Sequence, residues 1–126
     1  MKGRLILLAD DDPYVQKTVR RVAEEYEYQI ISATTGSEVK ATALDLSPDL
    51  VVLDLTFPDA DGRDVLAQLK SDLRTADIPV LIWSARNPES ERRIALDLGA
   101  EDYVEKSDVE TLLKKVKRLL LRLDSE

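Results

Sequence analysis

"LILLADDDPYV", residues 5–15, passes from an unbroken apolar run straight into three aspartates. The run from Leu5 to Ala9 lacks the polar–apolar alternation of a half-exposed strand, so it predicts a strand covered on both faces of its sheet. Asp10, Asp11 and Asp12 follow at once. Neighbouring carboxylates repel, and burial makes each more costly to ionise. A cluster at the end of a buried strand therefore needs a compensating charge or free access to water.

Two more apolar runs end in the same way. "LVVLD", residues 50–54, closes on Asp54, and "IPVLIWS", residues 78–84, closes on Ser84. With "YQIISA" at 28–33 and the short "EDYVE" at 101–105, the chain offers five strand candidates. Helix-period segments lie between and after them. Val15, Val19, Val22 and Tyr26 share one face of the first, with Pro13 suited to its first turn. Weaker helical patterns cover 36–46, 62–73 and 89–98, the last ending at Gly99. The fifth carries Val109, Leu112, Leu113, Val116, Leu119, Leu120 and Leu123 on one face and leaves Leu121 outside it. Five βα units in succession imply an α/β fold with a parallel sheet and right-handed crossovers. A closed eight-stranded barrel would need about twice the chain, so an open doubly wound sheet is predicted.

Composition narrows the chemistry. The 126 residues suffice for one domain with a proper core. A net charge of -7 argues against direct nucleic-acid binding. The absence of cysteine excludes disulfides, thiol catalysis and thiolate metal sites. The absence of histidine removes Ser-His-Asp catalysis, His-rich zinc sites and any role as a phosphohistidine donor. No apolar run approaches the roughly 18 residues of a membrane span, and the opening run is too short for a signal peptide. A cytoplasmic protein without a membrane partner is expected.

In open α/β sheets, ligands bind at the carboxyl ends of the strands, where strand order reverses. Asp10 and Asp11, Asp54, Ser84 and Lys106 all fall at or just after strand ends. Clustered aspartates suit a hard divalent ion, whose charge offsets their repulsion. Asp54 is then placed as a carboxylate nucleophile, with Lys106 to neutralise a transferring phosphoryl group and Ser84 to hydrogen-bond it. A calcium loop in "FPDADG" fails, because Phe57 and Gln68 occupy its first and twelfth positions.

At these residues the chain resembles the receiver domain of two-component response regulators, including the chemotaxis-regulator type. "ILLADDDP" resembles the acidic turn, "VVLDLTFPDADG" the phosphoacceptor stretch with Pro58 and Gly62 at their offsets, "IPVLIWSA" the hydroxyl segment and "GAEDYVEK" the lysine segment. The resemblance implies a single receiver domain over residues 1–126, a flavodoxin-like sheet of order 2-1-3-4-5 and Asp54 as phosphoacceptor. It implies Mg2+ (or Mn2+) held by Asp10, Asp11, Asp54 and the carbonyl of Thr56, with Asp10 acting largely through water. It also implies a histidine kinase or histidine phosphotransfer protein as donor, rather than turnover of an external substrate. Tyr103 matches the aromatic that turns inward when Ser84 engages the phosphoryl group, remodelling the face of helix four, strand five and helix five. A downstream target, or a second copy in a phosphorylation-dependent homodimer, would read that face.

Departures from the family pattern accompany these matches. Ser107 follows the lysine where the family usually has proline, so a trans bond is expected there, a cis bond before Ser costing about 3 kcal/mol. Thr56 and Arg86 stand two residues beyond Asp54 and Ser84, where the family tunes phosphoryl lifetime. Two other readings remain at this stage. A receiver-like interaction module would dispense with phosphate, and a phosphatase of the haloacid-dehalogenase type would want a second aspartate where Thr56 stands.

Overall fold

The computed structural model describes residues 3–86 and 88–125. Five parallel strands, β1 (Leu5–Ala9), β2 (Gln29–Ala33), β3 (Leu50–Leu53), β4 (Val80–Ser84) and β5 (Asp102–Glu105), form one sheet of order 2-1-3-4-5. The helices between and after them are α1 (Pro13–Ala23), α2 (Gly36–Leu46), α3 (Gly62–Ser71), α4 (Glu89–Asp97) and α5 (Val109–Asp124). This is the doubly wound (βα)5 architecture that the apolar runs predict, with the flavodoxin-like strand order that the receiver resemblance implies.

The two-residue period of a strand divides its side chains between two cores. Leu7 and Ala9 of β1, Val51 and Leu53 of β3, and Val80 and Ile82 of β4 face Val39, Leu66 and Ala95 from α2, α3 and α4. Ile6 and Leu8, Leu50 and Val52, and Leu81 and Trp83 face the other way, onto Val19 and Ala23 of α1 and the apolar stripe of α5. Both layers are buried and apolar, which is why the three central strands read as continuous apolar runs. The chain leaves the sheet centre for β2, returns to β3 and continues outward, so strand order reverses between β1 and β3. Asp10 and Asp54 flank that crevice.

Caps set the helix starts. The Asp12 carboxylate accepts from the amides of Tyr14 and Val15, so the third aspartate of the opening run is the N-cap of α1. Thr35 and Glu38 form a capping box on α2, while Asp61 and Asp108 cap α3 and α5.

Three boundaries differ from the sequence pattern. Tyr26 lies outside α1, in a single 3-10 turn (Glu24–Tyr26) that precedes Glu27 at φ 60. α3 stops at Ser71 instead of residue 73, because Asp72 turns extended and its carboxylate accepts from the Arg74 amide. α4 stops at Asp97, one residue before the predicted end.

Gly62 fixes the loop that leaves β3. A Cβ there would sit 2.4 Å from Leu55 Cα and 2.6 Å from the Asp54 carbonyl oxygen, and the Gly62 amide donates to Leu55 O at 2.8 Å. Gly62→Ala is expected to cost about 2 kcal/mol or more, since backbone has to move aside for the methyl group. Urea unfolding checks this, and a variant of wild-type stability would contradict the close approach.

Candidate functional site

Backbone bonds carry the sheet beyond its assigned strands and hold the strand ends beside one another. The Asp10 amide donates to Ala33 O, the Asp54 amide to Ala9 O, and the Lys106 amide to Ser84 O at 2.6 Å. Three chain segments thereby bring Asp10, Asp54 and Lys106 to one rim.

Asp10 is 1 % exposed, Asp54 is also buried, and Asp11 stands in solvent. One carboxylate oxygen from each lies within 4.8 Å of the others, an arrangement that could hold a metal ion. Lys106 Nζ enters the same cluster, donating to Asp10 Oδ2 at 2.6 Å and to Asp54 Oδ2 at 3.2 Å. Asp10 Oδ1 accepts from the Asp12 amide at 2.9 Å, so both of its oxygens are engaged. Burial pushes the Asp54 carboxyl above its usual range, and the Asp10 charge adds to this while the Lys106 ammonium opposes it. Burial also disfavours the Lys106 charge, but the Asp10 hydrogen bond and the two carboxylates outweigh it and raise its pKa.

Three carboxylates against one ammonium leave the rim two charges negative. The donor set is all oxygen, with no nitrogen or sulfur ligand, and its charge is what a divalent hard cation neutralises. The residues present therefore fit Mg2+ or Mn2+.

Ser84 is buried, and its Oγ accepts from the Arg86 amide at 3.2 Å. Tyr103 is 2 % exposed, packed in the core beneath α4, and its hydroxyl donates to the Arg86 carbonyl oxygen. Burial raises the pKa of that phenol. The Arg86 guanidinium pairs with Glu91 on α4 at 2.7 Å. Thr56 is exposed and bridges to Asp61 across the turn after β3. No peptide bond among the described residues is cis, so Lys106–Ser107 is trans as expected.

Sequence reasoning missed two supporting residues. Gln16 is buried at the crossing of α1 and β1, where its Nε2 donates to Leu8 O and Asp10 O, each at 2.9 Å, and its Oε1 accepts from Ser32 at 2.6 Å. It holds the backbone on which the acidic turn stands. The available signal was its helical spacing with Val19 and Ala23, the most buried line of α1. Asp59 accepts from the amides of Gly36 and Ser37, tying the turn after β3 to the start of α2. No sequence signal marks that contact, because it joins two segments that only the fold brings together.

The chain belongs to the response regulator receiver domain family, whose profile matches residues 6–117. It is 42% identical over 120 residues to the DNA-binding dual master transcriptional regulator RpaA of Synechocystis, covering 94% of this chain and 50% of that protein. The chain thus spans about half the length of the curated relatives it matches. Among solved structures it resembles the receiver domain of the Francisella response regulator 1452, with TM-score 0.87, 26% identity and coverage of 96% of this chain and 99% of that one. It also resembles the Mn(2+)-bound form of response regulator Rcp1, with TM-score 0.79, 26% identity and coverage of 93% and 91%.

The ion pairs at the rim yield a stability prediction. In chelator, Lys106→Met leaves Asp10 and Asp54 facing one another without compensation and should cost about 3 kcal/mol, the usual cost of breaking a buried pair. Adding Asp54→Asn should restore at least about 1 kcal/mol by removing one of the repelling charges. Urea unfolding of the single and double variants reads both numbers, and equal stabilities would refute the coupling.

Proposed function

We propose that this chain accepts a phosphoryl group on Asp54 from a phosphohistidine of a partner kinase or histidine phosphotransfer protein. The observation that carries the proposal is the convergence of Asp10, Asp11 and Asp54 within 4.8 Å, with Lys106 bonded to two of them. In the transfer, an Asp54 carboxylate oxygen attacks phosphorus, the N–P bond of the donor breaks, and the imidazole departs and takes up a proton. An acyl phosphate remains on Asp54 until water hydrolyses it.

Asp10, Asp11, Asp54 and the Thr56 carbonyl would hold Mg2+ or Mn2+. Bound there, the ion supplies positive charge to the phosphoryl oxygens. Lys106 exchanges its bond to Asp54 Oδ2 for a phosphoryl oxygen, and Ser84 Oγ donates to another. Engaging Ser84 draws its hydroxyl from the Arg86 amide, and Tyr103 bonds the carbonyl of that same residue. This shared backbone links the site to α4 and β5, and the α4–β5–α5 face is the surface a downstream target or second copy would read. The chain then acts as a signalling switch of two-component systems and not as an enzyme with an external substrate. DNA binding, named for the Synechocystis relative, is not assigned to these acidic residues.

Intact mass after incubation with Mg2+ and acetyl phosphate tests the proposal. Wild type should gain one phosphoryl group that is lost at alkaline pH, while Asp54→Ala should gain none. A phosphoryl group retained by Asp54→Ala would place the acceptor elsewhere, and no gain by wild type would remove the phosphoryl reading.

A further inference from the structure

The Lys106 backbone is anchored through its amide to Ser84 O, but a long flexible side chain separates that anchor from the ammonium at the rim. Ser107 is exposed and lacks the ring by which proline fixes its own φ, and the next backbone anchor is the Asp108 cap of α5. The position of the ammonium therefore depends on what the ammonium touches. Two of its three protons go to Asp10 Oδ2 and Asp54 Oδ2. Both acceptors belong to the group that could bind a metal ion, so both contacts change when a cation or phosphoryl group arrives.

The remaining contact is with Trp83. Lys106 Nζ lies 5.2 Å from the centroid of that ring, inside the range of a cation–π interaction. Strand register produces it. Trp83 pairs with Val104, and Lys106 lies two residues beyond Val104, on the same side of the chain. The two side chains are diagonal neighbours across the parallel β4–β5 pair, close enough for the observed contact. Trp83 itself is 2 % exposed and packed among α1 and α5 residues.

The Trp83 indole is costly as mere packing. Its Nε1–H is buried with no acceptor among the described residues. A phenylalanine would fill much of the space without a stranded donor. What tryptophan adds is the most electron-rich ring face available to a side chain, turned to use by the ammonium beside it.

Resting on the receiver reading above, we propose that Trp83 is a positioning residue for phosphoryl transfer. Its ring holds the Lys106 ammonium at the rim while the bonds to Asp10 and Asp54 exchange. It touches no reacting atom and acts only through Lys106.

The test is the rate of phosphoryl uptake from acetyl phosphate at saturating Mg2+, followed by intact mass. The proteins are wild type, Trp83→Met, Trp83→Phe, Lys106→Met and the Trp83→Met/Lys106→Met double variant. A cation–π contact of ordinary strength predicts that Trp83→Met slows uptake about three- to tenfold at saturating donor. Half-saturation by acetyl phosphate should hardly move, Trp83→Phe should fall between wild type and Trp83→Met, and Trp83→Met should add nothing once Lys106 is gone.

Because the chain has one tryptophan, biosynthetic fluorinated tryptophan provides a variant that keeps the shape of the core. Fluorine drains the ring face, so uptake should slow while urea unfolding stays at the wild-type midpoint. Equal slowing by Trp83→Met with and without Lys106, or an unchanged rate with the fluorinated ring, would overturn the Trp83 role alone. A wild type that takes no phosphoryl group would instead overturn the receiver reading, and this role with it.

Discussion

Two buried carboxylates, Asp10 and Asp54, face one another across the β1–β3 crevice with a single ammonium between them. Left alone they would repel in a place that water reaches poorly. Lys106 must come from the far side of the sheet to meet them, 96 residues along the chain from Asp10. The sheet order 2-1-3-4-5, the apolar layers on both faces and the short loop after β5 all serve to bring that lysine to the rim. With Asp11 added, the cluster still carries excess negative charge. That excess is what a hard divalent cation would neutralise.

The rim stands on rigid ground. Amide-to-carbonyl bonds at Asp10, Asp54 and Lys106 continue the sheet ladder past the last strand residue, so the rim side chains sit on hydrogen-bonded backbone. Gln16 from α1 pins the backbone at Leu8 and Asp10 from one side, and Asp59 ties the turn after β3 to α2 from another. Ser84, Tyr103 and Arg86 share hydrogen bonds at one loop, and the Arg86 guanidinium is drawn away to Glu91. These bonds join Ser84, the Arg86 backbone and Tyr103, and the Arg86 side chain meets α4 at Glu91.

Most of the fold was legible because three strands lie between helical layers and lose all polar alternation. Asp10, Asp54 and Ser84 were legible for the same reason, since each is the first polar residue after a buried run. Tyr26 misled because its spacing suits a helix, while the chain tightens into a 3-10 turn before the left-handed Glu27. The end of α3 misled because Asp72 bonds the Arg74 amide and stops a helix whose apolar pattern ran on. Gln16 and Asp59 were invisible for a deeper reason. Their work is to bond backbone atoms of distant segments, and backbone atoms leave no mark in a sequence.

The account rests on the excess negative charge at the rim, and its most direct test is the dependence of unfolding free energy on Mg2+. Once Mg2+ exceeds its dissociation constant, wild-type stability should rise by about 1.4 kcal/mol for each tenfold increase in free ion. An Asp10→Asn/Asp54→Asn variant should be more stable than wild type in chelator and indifferent to Mg2+. A wild type indifferent to Mg2+, or a variant that gains as much from it as wild type does, would contradict the claim that these carboxylates form a metal site.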